Sequence, residues 1–243
     1  MLPLLLLTIP ILLALLFWLF VFAEGTYLGS GVVTFLYDRA ASAYDRVKRP
    51  DIRSDRWYVA LPLERALSNI AHPLILDVAT GTGRVPVAIA NGAKFPGRII
   101  GLDLSARMLR EAQEKTRGLS GAIGLVRADA LALPVLDATC DAVTCLEGLE
   151  LFARPDEALG EMARVLRPGG ILVVSSRVER EASLLPGRAY HRDHIGAVLQ
   201  RLSFTSMEVN RWQRHYDLVW AKQATGSWAR GDKNGLGMAR EKP

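Results

Sequence analysis

Between Leu74 and Ser176 the chain alternates short apolar runs with helix-like stretches, and few folds accept that alternation. The runs Leu74–Ala79, Arg98–Asp103, Ala122–Ala128, Cys140–Leu146 and Ile171–Ser176 have strand length. Between them, Val85–Asn91, Ala106–Thr116 and Asp156–Leu166 read as helices. Strands alternating with helices build βαβ units, in which the strands run parallel and helices cover the sheet. Two later runs, FTSMEVNRW and HYDLVWAKQ, are separated by little more than Gln213 and Arg214 and read as an antiparallel hairpin. At 243 residues the chain has room for one such domain with extras, and buries a core without staples.

The first strand runs into a glycine bend, LILDVATGTG, from Leu74 to Gly83. In an open parallel sheet, ligands bind beyond the carboxyl ends of the strands, where backbone and a helix N-terminus face the cleft. Gly81 and Gly83 let backbone approach a ligand that a side chain would block. A dinucleotide fingerprint requires a third glycine at position 86, and this chain has Pro86. Asp77, just before the bend, would repel a pyrophosphate but suits an ammonium group. Asp103, ending the next strand, stands where an acid can accept both ribose hydroxyls. Asp129 and Ala130 follow the third strand and suit an adenine amino group. The cleft therefore reads as a nucleoside site for a cationic, phosphate-free ligand; S-adenosylmethionine fits, and NAD does not.

The segments LILDVATGTG, GLDLSARMLREAQEK, VRADALALPVLDATCDAVTCLEGLELF and EALGEMARVLRPGGILVVSS together resemble the class I S-adenosylmethionine-dependent methyltransferases. Within that class the chain is most similar to the small-molecule branch that includes the ubiquinone/menaquinone C-methyltransferases. The resemblance covers about Tyr37 to Lys222, with Ala79 replacing the commoner first glycine of the loop. It implies an α/β, Rossmann-like seven-stranded sheet whose last strand is antiparallel, and S-adenosyl-L-methionine as cofactor. It implies a cofactor-binding set of Asp77, Ala79, Thr80, Gly81, Gly83, Asp103, Leu104, Asp129, Ala130 and Cys145. The methionine portion then lies over Asp77 and the Ala79–Gly83 loop, the ribose against Asp103, and the adenine against Asp129 and Ala130. LRPGG ends a helix and turns into the fifth strand.

Methyl transfer from a sulfonium needs no obligatory catalytic side chain, and a base serves only an acceptor that must lose a proton. No catalytic residue is therefore assigned. Candidates for contact with a small or lipid-like acceptor are Tyr44, in a Tyr-Asp pair of a lid helix, Glu147 and Glu150 past the fourth strand, and His191 and His194 past the fifth. No His, Cys, Asp and Glu grouping has metal-ligand spacing, and no nucleophile–His–acid arrangement is present. Cys140 and Cys145 lie close together in one strand and read as reduced thiols.

The chain opens with MLPLLLLTIPILLALLFWLFVFA, which carries no charged side chain before Glu24. About 20 apolar residues at 1.5 Å each match the roughly 30 Å of bilayer hydrocarbon. Val21-Phe22-Ala23 also resembles a signal-peptide cleavage site, but the Lys/Arg n-region is missing and the apolar run exceeds the usual h-region of about 7–15 residues. The expectation is a retained single-pass transmembrane helix over residues 1–23. Arg39, Arg46, Lys48 and Arg49 follow it, which places the catalytic domain in the cytoplasm. A linker and N-terminal lid helix occupy 24–60, the methyltransferase domain 61–222, and a disordered basic tail 223–243. The net charge of +5 is no sign of nucleic-acid binding. From Leu61 to Asn210, 17 basic residues meet 17 acidic ones, and from Arg211 onward seven meet three, so the surplus lies largely in that tail.

Overall fold

The computed structural model describes residues 2–91, 95–119 and 122–225. Residues 226–243, most of the expected basic tail, lie outside the described residues. Seven strands form one sheet: β1 (Leu74–Val78), β2 (Arg98–Asp103), β3 (Ala122–Arg127), β4 (Cys140–Cys145), β5 (Leu166–Arg177), β6 (Phe204–Arg211) and β7 (Tyr216–Gln223). Their order is β3-β2-β1-β4-β5-β7-β6. The first five run parallel, and β7 is antiparallel to both β5 and β6. β7 continues to Gln223, so the first residue of the expected tail is still strand.

The apolar runs of the central strands β1, β4 and β5 are continuous because both faces of the sheet are covered there. Alternate residues along each strand enter opposite layers. Leu76, Val143, Leu172 and Val219 pack on one side, with Leu159, Met162, Ile195 and Leu199. Those last four come from α8 (Pro155–Val165) and α10 (Arg192–Arg201). Ile75, Ala142, Val173 and Leu218 pack on the other, with Leu63, Val85 and Ile89 from α5 (Leu61–Ala66) and α6 (Arg84–Ala90). α7 (Ala106–Thr116) is capped by Ser105, whose Oγ accepts the Met108 N–H at 3.1 Å.

One local expectation changes. Pro168, Gly169 and Gly170 lie within β5, where the pairing with β4 shifts between Cys140↔Leu166 and Ala142↔Ile171. Gly169, at φ +78°, supplies the left-handed residue of that irregularity. The helix before it has already ended at Val165.

The N-terminal expectation is overturned. Among the described residues, no helix is long and apolar enough to cross a membrane. α1 spans Leu2–Phe17, 16 residues, which at 1.5 Å each is about 24 Å against the roughly 30 Å required. The apolar run does not stay one helix: it passes into a π-helical turn, Trp18–Phe22, and then docks on the body of the protein. Trp18 Nε1 donates to the Leu184 carbonyl at 3.2 Å, and the Tyr27 hydroxyl to the Pro186 carbonyl at 2.9 Å. Ala23 is buried, and Thr26 Oγ1 donates to the Glu150 carbonyl at 2.7 Å. Composition alone counted as one span what the fold divides between a helix and a docking segment. The transmembrane helix, the single-pass placement and the cytoplasmic orientation drawn from it are therefore not supported.

Candidate functional site

The strand order reverses between β1 and β4, and the crevice beyond their carboxyl ends is where an open sheet of this kind takes a ligand. β1 delivers Asp77, then a loop held in left-handed conformations at Ala79 (φ +54°), Gly81 (φ +54°) and Gly83 (φ +83°). A Cβ on Gly81 would meet no atom within 4 Å, so open space faces that backbone. Gly83 is tight by contrast: a Cβ there would stand 3.1 Å from the Cβ of Ala112 on α7. Its glycine serves helix packing, while that of Gly81 faces the cleft.

Asp103, ending β2, is fixed by two backbone donors. Oδ1 accepts from Ser105 N–H and Oδ2 from Gly81 N–H, each at 2.8 Å. Burial raises its pKa, and those N–H groups pull it back down. Asp77 is 2% exposed; Oδ1 accepts from the Thr144 hydroxyl at 2.6 Å, and Oδ2 is buried with no partner. Burial pushes its pKa up to about 7. An orphaned carboxylate oxygen beneath a glycine loop fits a ligand that brings an ammonium group.

Two adjoining cavities share Tyr44, Ala79, Gly81, Leu146 and Glu147. The first adds Asp103, Leu104, Asp129 and Ala130, and is roofed by Ser30, Val33, Thr34 and Tyr37 of α2 (Ser30–Ala40). The second, about 420 Å³, adds Asp77, Thr80, Arg84 and residues of the β6–β7 turn. The sequence candidates thus converge except for five. Gly83 and Cys145 are packed behind the loop, with the Cys145 thiol pushed far up by burial. Glu150 is buried on the far side of Arg177, which donates to it at 3.0 Å, as does the Tyr216 hydroxyl at 2.5 Å. His191 is the residue before α10 and His194 packs edge-on against Tyr190; neither lines either of these two cavities.

Sequence reasoning missed the charged clamp around Glu147. Arg84, at the start of α6, donates to Asp55 in α4 (Ile52–Asp55) through Nε and, at 2.7 Å, through Nη2. Its Nη1 donates to Glu147 Oε1 at 2.5 Å, and the guanidinium lies 4.8 Å from the centre of the Trp212 ring. Burial works against the charge on Arg84, but the two carboxylates more than offset it and its pKa is raised. Glu147 holds a left-handed backbone, φ +54°, uncommon for a residue with a side chain and a feature of functional turns. Nothing in the sequence ties Asp55, Arg84 and Glu147 together, because they are contributed by three separate elements. The Tyr44 phenol is pushed well up, first by burial and then by Glu147 and Glu24, so it keeps its proton and can donate a hydrogen bond. Among the described residues, no group of three or more His, Cys, Asp or Glu side chains could hold a metal ion.

A family model described as a methyltransferase domain matches residues 76–174. The chain is 40% identical over 162 residues to the ubiquinone/menaquinone biosynthesis C-methyltransferase UbiE of Syntrophotalea carbinolica, covering 65% of this chain and 67% of that protein. It is 37% identical over 205 residues to the demethylmenaquinone methyltransferase of Clavibacter sepedonicus, covering 82% of this chain and 81% of that one. Among solved structures it resembles the cyclase SpnF, with a TM-score of 0.68 at 21% identity over 82% of this chain and 98% of that chain. That last likeness shows the fold alone.

Proposed function

Because this chain belongs to the class I S-adenosylmethionine-dependent methyltransferases and resembles their ubiquinone/menaquinone C-methyltransferases, we propose that it methylates a small, quinone-like acceptor. The unpartnered Oδ2 of Asp77, on the strand that leads into the loop of Gly81, carries the reading, since it asks for a cationic ligand at a loop that presents bare backbone. On this reading Asp77 meets the ammonium group, Asp103 the ribose hydroxyls, and Asp129 with Ala130 the adenine. The sulfonium of bound S-adenosylmethionine supplies an already activated methyl group.

The protein's share of the chemistry is then position and dryness. Tyr44 and Glu147, common to both cavities, flank the passage between donor and acceptor. Glu147, fixed by Arg84, is the carboxylate best placed to take a proton from an acidic acceptor hydroxyl. Tyr44 donates rather than accepts. The first cavity is only about 100 Å³ here, below the roughly 300–1,000 Å³ of ordinary ligand pockets, so α2 acts as a lid that swings out to admit the cofactor and closes on it.

The test is methyl transfer itself. The purified protein is incubated with isotopically labelled S-adenosylmethionine and, separately, a quinone-enriched lipid extract and a pool of polar metabolites. Label in the quinone fraction supports the reading; label confined to polar metabolites replaces the acceptor class, and no label in either removes the activity.

A further inference from the structure

We propose that the second cavity, whose residues Asp77 and Gly81 are assigned to the cofactor, also serves as an acceptor subsite for an anion-bearing molecule, with the guanidinium groups of Arg49 and Arg214 receiving a carboxylate or phosphate. The inference rests on the methyltransferase reading and names the chemistry of the acceptor.

Positive charge is left over in this cavity. Eight formally charged side chains line this cavity: Lys48, Arg49, Arg84, Arg177 and Arg214 against Asp51, Asp77 and Glu147. Most are already committed. Arg84 is held by Asp55 and Glu147. Arg177 is held by Glu150 and Glu181, and Lys48 by Glu24 at 2.7 Å. Asp51 caps α4, its Oδ1 accepting from the Arg53 and Ser54 N–H groups at 3.0 and 3.2 Å. Asp77, bonded to the Thr144 hydroxyl, is assigned to the cofactor's ammonium group. His215, also on the wall, is bonded through Nδ1 to Glu181.

Arg49 and Arg214 remain. Both are exposed, and neither makes a side-chain hydrogen bond or ion pair among the described residues. They reach the cavity from two separate elements. Arg49 follows α3 (Tyr44–Lys48) in a left-handed conformation, φ +47°, held by its N–H bond to the Asp45 carbonyl at 2.8 Å. Arg214 lies in the turn joining β6 to β7. Trp212, Tyr216, Tyr44 and Glu147 line the same cavity. A cavity lined by aromatic rings and carrying surplus positive charge suits a ring with an acidic substituent. Its nucleophilic atom then points toward the methyl donor. Guanidinium pairs with carboxylate and phosphate in a two-pronged geometry, which makes two unpaired arginines an effective anion receptor.

The test uses the full-length protein saturated with S-adenosylhomocysteine, titrated calorimetrically with a hydroxynaphthoate and with the naphthol lacking its carboxylate. The wild type should bind the carboxylate at least ten-fold more tightly. The double variant R49Q/R214Q should bind the two probes within about two-fold of each other, with an unchanged circular dichroism spectrum. Equal binding of both probes by the wild type, no binding of the carboxylate, or a preference that survives in the double variant overturns the proposal. A second pair identifies the other source of an anion, the cofactor's own carboxylate: S-adenosylhomocysteine against methylthioadenosine, which lacks it. If the double variant loses affinity for the first and keeps it for the second, the arginines serve the cofactor and the acceptor subsite is overturned. Failure of the wild type to bind S-adenosylhomocysteine would instead remove the methyltransferase reading on which the proposal stands.

Discussion

Asp103 Oδ2 accepts the Gly81 N–H at 2.8 Å, so the carboxylate that ends β2 also holds in place the loop that ends β1. One side chain thereby shapes two parts of the cleft. Asp103→Ala should weaken S-adenosylmethionine binding by about 1.5–3 kcal/mol, the scale of a hydrogen bond to a charged group. That corresponds to a loss of roughly ten- to a hundred-fold, read by titration calorimetry. Unchanged affinity in a variant with native circular dichroism would remove Asp103 from the site.

Gly148 and Ala79 touch across the same loop. A Cβ on Gly148 would stand 2.8 Å from the Cβ of Ala79 and 3.0 Å from the Cys145 sulfur. The backbone of Gly148 is at φ −122°, so sterics alone forbids a side chain there. Gly148→Ala should cost about 1–3 kcal/mol in chemical denaturation. Ala79→Gly removes the atom it strikes, and the pair should be coupled by about 0.5–3 kcal/mol in a double-mutant cycle. Strict additivity would show that the two residues do not share the space.

Asp77 makes both stability and binding depend on pH. Its folded pKa is raised from 3.8 to about 7, so the folded state holds a proton that the unfolded state releases. The contribution of Asp77 to the stability of the cofactor-free protein is therefore full below the unfolded value, is lost as pH rises through that window and levels above the folded pKa. The cationic cofactor favours the ionised carboxylate, so its affinity should rise with pH and level off above the folded pKa. Between pH 6 and 7 the gain should be about five-fold, from the ionised fraction alone. Asp77→Asn should flatten the profile; a wild-type affinity constant across that range would refute the assignment.

The parts of this molecule that are local in sequence were legible in it. The strand–helix alternation leads directly to the parallel sheet, and its central runs β1, β4 and β5 read as unbroken apolar sequence because they are covered on both faces. The Asp77–Gly83 loop and Asp103 could be found because backbone conformation and strand ends are set within a few residues. Long-range partnerships left no such trace. Asp55, Arg84 and Glu147 meet only in the fold, and so do Glu150, Arg177 and Tyr216, which hide Glu150 from the acceptor cavity. The N-terminal run failed for the same reason. Its composition suits lipid, but the hydrogen bonds from Trp18 and Tyr27 that dock its end lie more than a hundred residues away in sequence.

The central claim is that the crevice beyond β1, β2 and β4 holds S-adenosylmethionine against bare backbone at Gly81. Titration of wild type and Gly81→Val with S-adenosylhomocysteine tests it most directly. A branched side chain at φ +54° costs about 1–2 kcal/mol of strain, which the sheet should survive, and it fills the open space that the ligand needs. The account predicts one saturable site in the wild type and no measurable binding by a variant whose circular dichroism remains native. Wild-type affinity in Gly81→Val, or no saturable binding by the wild type, would contradict it.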